Sequence, residues 1–167
     1  MAVCYARTVN RRPPSHYRPP TGPKPHCYPR AVETATAETL RTVPLFAALD
    51  DDSLAHIASV ATEFECPAGY VLAERAQPGA GLFIIEEGTV EVWVPDGPVI
   101  ERGPGDFVGE LSLLTDTPRT ARVSCSSHVK GLAISRQDLM ELLDREPTIA
   151  VAMLGELARR LVEETKH

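Results

Sequence analysis

At 167 residues, with 43% apolar and 24% charged residues, the chain is long enough to bury one sizeable core. Its net charge of −6 argues against non-specific nucleic-acid binding by the folded part, and no apolar run approaches the length needed to span a bilayer. Cys4, Cys27, Cys66 and Cys125 stand far apart with no CxxC pair, which excludes a zinc or iron–sulfur framework and reads as a reduced, cytoplasmic protein.

Residues 1–40 read as a disordered, Pro-rich basic tail. Seven of the fifteen prolines precede position 31, and Arg7, Arg11, Arg12, Arg18, Lys24 and Arg30 face no acid there. Residues 31–167 therefore carry −12. Few large apolar residues accompany the prolines, so little offsets the entropy of ordering. No apolar h-region marks a secretory signal. The stretch is either a basic arm for an acidic partner or a tail without a role.

Residues 41–167 read as one folded domain, with order beginning near Thr39. Val43–Leu49 is a short apolar segment. Asp50, Asp51, Asp52 and Ser53 then suit a helix N-terminus by capping and by the macrodipole. That helix runs to about Ala61, with Leu54, Ile57, Ala58 and Ala61 on one face.

Short strands follow. Pro67-Ala68-Gly69 turns between Glu63–Cys66 and Tyr70–Glu74, and Gln77–Gly81 turns again. Leu82–Ile85 is continuously apolar, hence a buried strand. Thr89–Val94 alternates, with Val90, Val92 and Val94 on one side. Val99-Ile100 is short, and Ala121–Cys125 and Val129–Ile134 are two further strands. Many short strands between turns predict a closed β-roll or jelly roll. A metal cupin would need clustered ligands, and His128 is the one histidine in this region.

Between these strands lies Gly105–Ala121, which reads as a phosphate-binding cassette. Gly109 has no Cβ, so a ligand can approach its backbone. Glu110–Leu114 can form one helical turn whose free N–H groups, from Gly109 through Glu110 and Leu111 to Ser112, favour an anion. Pro118 cannot continue the turn and presents Arg119, whose guanidinium pairs with phosphate as a planar fork. Glu110 is left to accept from ligand hydroxyls.

The C-terminal part is helical. Ser135 with Asp138 resembles a capping box, and Leu139, Met140, Leu142 and Leu143 give a core face. Pro147 suits the first position of a second helix. There Ile149, Met153, Leu157 and Leu161 recur every four residues, and Leu154 joins Leu157 and Leu161 in a seam. The seam either packs on the barrel or pairs two copies of the chain. The fold class is thus mainly β with flanking helices: an antiparallel β-roll or jelly-roll barrel with an N-terminal helix and two C-terminal helices.

Gly-Glu-Leu-Ser-Leu-Leu, three residues, then Pro-Arg-Thr-Ala resembles the signature of cyclic nucleotide-binding domains. These include the catabolite activator family and the regulatory domains of cyclic nucleotide-dependent kinases and channels. The resemblance covers about residues 43–165, and Ala158-Arg159-Arg160-Leu161 extends it to the last helix. It implies that Glu110 accepts from the ribose 2′-hydroxyl, that Arg119 pairs with the cyclic phosphate and that Thr120 also contacts the ligand. The purine cap falls near Glu164 or Thr165. Chain pairing through the last helix is implied as well, while no helix-turn-helix DNA reader follows before His167.

The function expected is a stand-alone regulatory sensor that binds a cyclic mononucleotide, cAMP favoured over cGMP, and signals to a protein partner. The alternative is a protein-interaction module whose pocket is empty. No Ser-His-Asp, paired-carboxylate or metal constellation points to an enzyme.

Overall fold

The run Leu82–Ile85 is apolar without a break because both faces of its strand are covered. In the computed structural model, which describes Thr8–Val9, Tyr28–Pro29 and residues 37–165, Leu82 and Ile84 face a core shared with the helices. Ile85 and its neighbour Phe83 face a second core between two sheets.

The elements in order are β1 (Thr8–Val9), β2 (Tyr28–Pro29), α1 (Ala37–Arg41), a 3-10 turn at Pro44–Phe46, α2 (Asp51–Val60), β3 (Thr62–Cys66), β4 (Val71–Ala73) and β5 (Gly81–Glu87). There follow β6 (Val90–Trp93), β7 (Val99–Arg102), β8 (Phe107–Val108), α3 (Glu110–Thr115), β9 (Arg122–Cys125), β10 (Val129–Ser135), α4 (Arg136–Arg145) and α5 (Pro147–Thr165). Helix α1 begins slightly before the expected start at Thr39. Within the disordered tail expected over residues 1–40, β1 and β2 are instead short strands paired to β7 and β3, and its remaining residues before Ala37 lie outside the described residues.

Two antiparallel sheets have the orders β1-β7-β6-β9-β4 and β2-β3-β10-β5-β8. Without the peripheral β1 and β2, four strands remain in each, the jelly-roll-like arrangement expected. The pairing of β5 with β10 sets Ile84 opposite Leu132 and Ile85 opposite Gly131. A Cβ on Gly131 would lie 2.1 Å from the Ile84 carbonyl oxygen, so this register admits only glycine there.

The helical layer is stopped and started by local chemistry. Asp50 accepts from the Ser53 N–H at 2.8 Å and caps α2. The Ser135 hydroxyl accepts from the Asp138 N–H at 3.1 Å and caps α4, and Pro147 opens α5. Leu40, Phe46, Leu54, Ile57, Leu139, Leu142, Ile149 and Met153 from these helices close over Leu82, Ile84, Leu132 and Ile134. Burial of such side chains contributes roughly 1.5–3 kcal/mol each.

The inter-sheet core holds Phe64, Ile85, Val90, Val108, Val123, Cys125 and Val129. Cys125 is a free thiol whose pKa burial pushes up to about 11, so it is inert at neutral pH. Cys66 is disulfide-bonded, a departure from the fully reduced chain expected. The inter-sheet core stops short at the α3 end of the barrel, and a cavity opens there.

Candidate functional site

The cavity, of about 390 Å³, lies between the inner faces of β6, β7 and β9, the α3 turn and the last turns of α5. Val92, Val94, Ile100 and Val123 form its apolar wall. All six residues singled out in the sequence line it: Gly109, Glu110, Leu111, Ser112, Arg119 and Thr120. Glu110, Ser112 and Arg119 are buried, whereas Leu111 and Thr120 are exposed at the rim.

Arg119 is placed by its own loop. Its N–H donates to the Gln77 carbonyl and its carbonyl accepts from the Ala76 N–H, both at 2.9 Å. The guanidinium then reaches inward. Nη1 donates to the Gly109 carbonyl at 2.7 Å and to Ser112 Oγ at 2.9 Å, and Nη2 donates to the Gly81 carbonyl at 2.6 Å. The Phe83 ring lies beneath it, 5.7 Å from the centroid. Every one of these acceptors is neutral, and among the described residues Arg119 has no ion pair. Burial draws its pKa below the usual arginine value, while Glu110 nearby acts the other way. Arginine nonetheless stays charged at any working pH.

Gly109 makes this arrangement sterically allowed. Its φ is +92°, and a Cβ there would sit 2.3 Å from Arg119 Nη1. Only glycine supplies both the left-handed backbone and the room. The turn then enters α3, which ends at Asp116, also left-handed.

Glu110 points to the other side, toward α5. Its Oε1 accepts from Arg160 Nη1 at 3.1 Å. Arg160 also donates through Nη2 to the Phe107 carbonyl at 3.0 Å and through Nε to Glu156 Oε1 at 2.8 Å. It lies over the Phe107 ring, 4.6 Å from the centroid. Arg160 is therefore neutralised by two carboxylates and ties α5 to the start of the cassette. Burial raises the Glu156 pKa, but hydrogen bonds and charge from Arg159 and Arg160 outweigh it and hold the carboxyl below the usual value.

The structure separates the recurring residues of α5. Ile149 and Met153 are buried, whereas Leu161 is 62% exposed and Arg160 beside it is 8% exposed. Of Glu164 and Thr165, the two alternatives for the purine cap, Glu164 lines the cavity.

A third guanidinium was not singled out in the sequence. Arg102, the last residue of β7, is 6% exposed and lines the cavity. Burial and the like charge of Arg160 lower its pKa, with Asp106, Glu156 and Glu110 opposing. Sequence reading ends this strand at Ile100, because charges follow. Continuing the period of two from Ile100 would have carried it to Arg102. Among the described residues no group of His, Cys, Asp or Glu could hold a metal ion, and no helix is long and apolar enough to cross a membrane.

Residues 63–146 match the sequence profile described as Cyclic nucleotide-binding domain. A cyclic nucleotide-gated potassium channel of Rhizobium etli is 36% identical over 113 residues, 68% of this chain and 32% of the channel. A cAMP-dependent protein kinase regulatory subunit of Aspergillus fumigatus is 37% identical over 106 residues, 62% of this chain and 26% of the subunit. The chain thus spans about a third or less of these curated relatives. In structure, the N-terminal domain of a transcriptional regulator from Streptomyces coelicolor superposes with a TM-score of 0.56 at 37% identity, covering 77% of this chain and 95% of that one. Profile, relatives and fold agree with the cassette: the chain belongs to the cyclic nucleotide-binding domain family.

Proposed function

We propose that the cavity binds a cyclic mononucleotide and that the chain works as a regulatory sensor. The cyclic phosphate would lie on Arg119 and the N–H groups of the Gly109–Ser112 turn, and a ribose hydroxyl on the free oxygen of Glu110. Leu111 and Thr120 would contact it from the rim. The observation that carries this reading is the state of Arg119: a buried cation hydrogen-bonded to neutral acceptors alone. Such a site gains more from an added anion than an ion-paired arginine would. cAMP is the first ligand to test, supported by the name of the A. fumigatus relative.

The signal would pass through α5. Arg160 joins this helix to Glu110, so a ligand that engages Glu110 acts directly on the helix holding it. A ligand can shift the position of α5 only by its differential affinity for the two arrangements. The outer face of α5 carries Val151, Leu154, Leu161 and Val162, each more than half exposed. This supports pairing of two copies, or docking of a protein partner, along that helix.

Thermal unfolding with cAMP, cGMP, cyclic dinucleotides and AMP tests the proposal. A ligand at a hundred times its Kd stabilises the native state by about 2.7 kcal/mol, a shift of several degrees. The shift should vanish in Arg119→Ala. A folded wild type that gives no shift at millimolar ligand would support the alternative, a protein-interaction module. The internal pairing of Glu110 with Arg160 is the observation on that side.

A further inference from the structure

One fastening of the fold is covalent and lies outside the candidate site. Cys66, the last residue of β3, is disulfide-bonded and fully buried in the inter-sheet core. Cys125 is a free thiol, so within the chain the partner is Cys4 or Cys27. The register of β2 on β3 decides between them. Tyr28 lies opposite Glu65 and Pro29 opposite Phe64. The antiparallel order, continued by one residue, sets position 27 opposite Cys66. Directly opposed residues in such a ladder have Cα atoms about 4.5–5.5 Å apart, within the span of a disulfide, and their side chains share a face. Cys4 instead precedes β1, which is paired to β7 in the other sheet.

The strand beside this bond is too slight to stay in place by itself. β2 has two residues and is the edge strand of its sheet. One of the two is Pro29, which brings no N–H to the ladder. Seating them on β3 closes a loop of about 35 residues, and two ladder positions offset little of that entropy. A covalent link removes most of the cost, because the loop stays closed whether or not the ladder is formed. The converse also holds. A ladder this short opens locally at low cost, and that opening exposes a bond buried beneath it to solvent.

We propose that Cys66 and Cys27 are a redox-responsive pair, and that reduction of their disulfide by a small thiol of the glutathione class frees β2 from β3. The attacking thiolate bonds to one sulfur, the S–S bond breaks, and the other sulfur leaves as a thiolate that takes up a proton. A second small thiol then displaces the mixed disulfide in the same way. Two small thiols are thereby oxidised to their disulfide, and the same two electrons reduce the protein bond to two thiols. Residues 1–30 carry six basic side chains and no acid, against −12 on the rest of the chain. The state of the bond therefore sets whether this basic stretch is fastened to the acidic domain at β3. In the reduced state the backbone of Thr62–Cys66 becomes the free edge of its sheet.

Equilibrating the full chain in glutathione buffers of graded ratio, capping the free thiols and mapping peptides without reduction tests the pair. The oxidised chain should give one cross-linked peptide, joining Cys27 to Cys66, with Cys4 and Cys125 capped. Millimolar reduced glutathione, without denaturant, should convert it to four capped cysteines. Closing the bond should raise Tm by roughly 5–15 °C, the range for a native disulfide in a domain of this size. That shift should vanish in Cys27→Ser and persist in Cys4→Ser. Trypsin cleavage after Arg30, the first susceptible bond beyond β2, should be several-fold faster in the reduced chain. A link from Cys66 to Cys4 or to a second chain, or free thiols at every ratio, overturns the pairing. A bond that stays closed in reduced glutathione overturns the redox role, and equal cleavage in both states overturns the release of β2. Should Cys27→Ser fail to fold, the wild type held in reduced glutathione gives the same comparison.

Discussion

Arg119 and Arg160 are both buried arginines at the mouth of one barrel, and each makes three hydrogen bonds with protein acceptors. What differs is the charge of those acceptors. Arg119 is held by the Gly81 and Gly109 carbonyls and the Ser112 hydroxyl, so its geometry is fixed while its charge is left over. Arg160 is held by Glu110 and Glu156, so its charge is used up within the protein. Hydrogen-bond satisfaction and charge satisfaction are separable. A site that has the first without the second is ready for an anion, and a site that has both is a fastening.

Arg119→Ala breaks the comparison most severely. Charge-assisted hydrogen bonds contribute roughly 1.5–3 kcal/mol each, so losing a bidentate phosphate contact should weaken cyclic-nucleotide binding by about a hundredfold or more. Calorimetry reads this directly. Near-wild-type affinity would mean that the α3 turn alone holds the anion. Arg160→Met acts on the other end, as a change in stability. It leaves Glu110, 6% exposed, buried without its cation, at a cost of about 3 kcal/mol. Adding Glu110→Gln should recover part of that loss, which a double-mutant cycle in urea would show. Equal losses in the single and the double variant would mean that the pair is not coupled.

Much of the Arg119 end was legible in the sequence, because its information is local. Gly109, Pro118 and Arg119 fall within one short stretch, and each has a backbone or charge property that needs no distant partner. The same holds for the caps at Asp50 and Ser135 and for Pro147 at the start of α5. The Arg160 end was less legible, because its partner Glu110 lies fifty residues away in sequence. Periodicity alone also left the inward face of α5 open there. Steps of four residues advance about 400° around a helix and drift by about 40° each. Leu161 therefore lies about 120° from Ile149, whereas Arg160 lies within about 20° of it. The inward face carries the arginine, and the leucine is left on the rim.

Gly109→Ala tests whether the fixed geometry of Arg119 matters apart from its charge. The left-handed backbone alone costs a non-glycine residue roughly 1–2 kcal/mol. The new Cβ, 2.3 Å from Arg119 Nη1, must also push the guanidinium out of place. Stability should fall by that amount, and affinity for the nucleotide should fall with it although every charge is retained. Chemical denaturation and calorimetry on the same variant separate the two effects. Loss of stability with unchanged affinity would show that Arg119 needs no fixed seat.

The smallest effect expected is in pH, and it distinguishes the two ends most cleanly. The acceptors of Arg119 do not titrate between pH 3 and 6, because they are two carbonyls and a hydroxyl. At the α5 end, Glu156 is a titratable carboxyl. Burial alone would raise its pKa, yet Arg159 and Arg160 hold it below the ordinary value of 4.5. A carboxyl depressed in the folded state stabilises that state fully above its unfolded value, and the contribution is lost as pH falls through the folded one. The wild type should therefore exceed Glu156→Gln in stability at pH 6, with the gap narrowing below about pH 4.5. Protection of the α5 amides, taken relative to their intrinsic exchange rate at each pH, should fall in acid over the same range, and it should do so less in Glu156→Gln. A gap that stays constant from pH 6 to pH 3 would mean that Glu156 holds Arg160 by shape and not by charge, and the contrast with Arg119 would lose its basis.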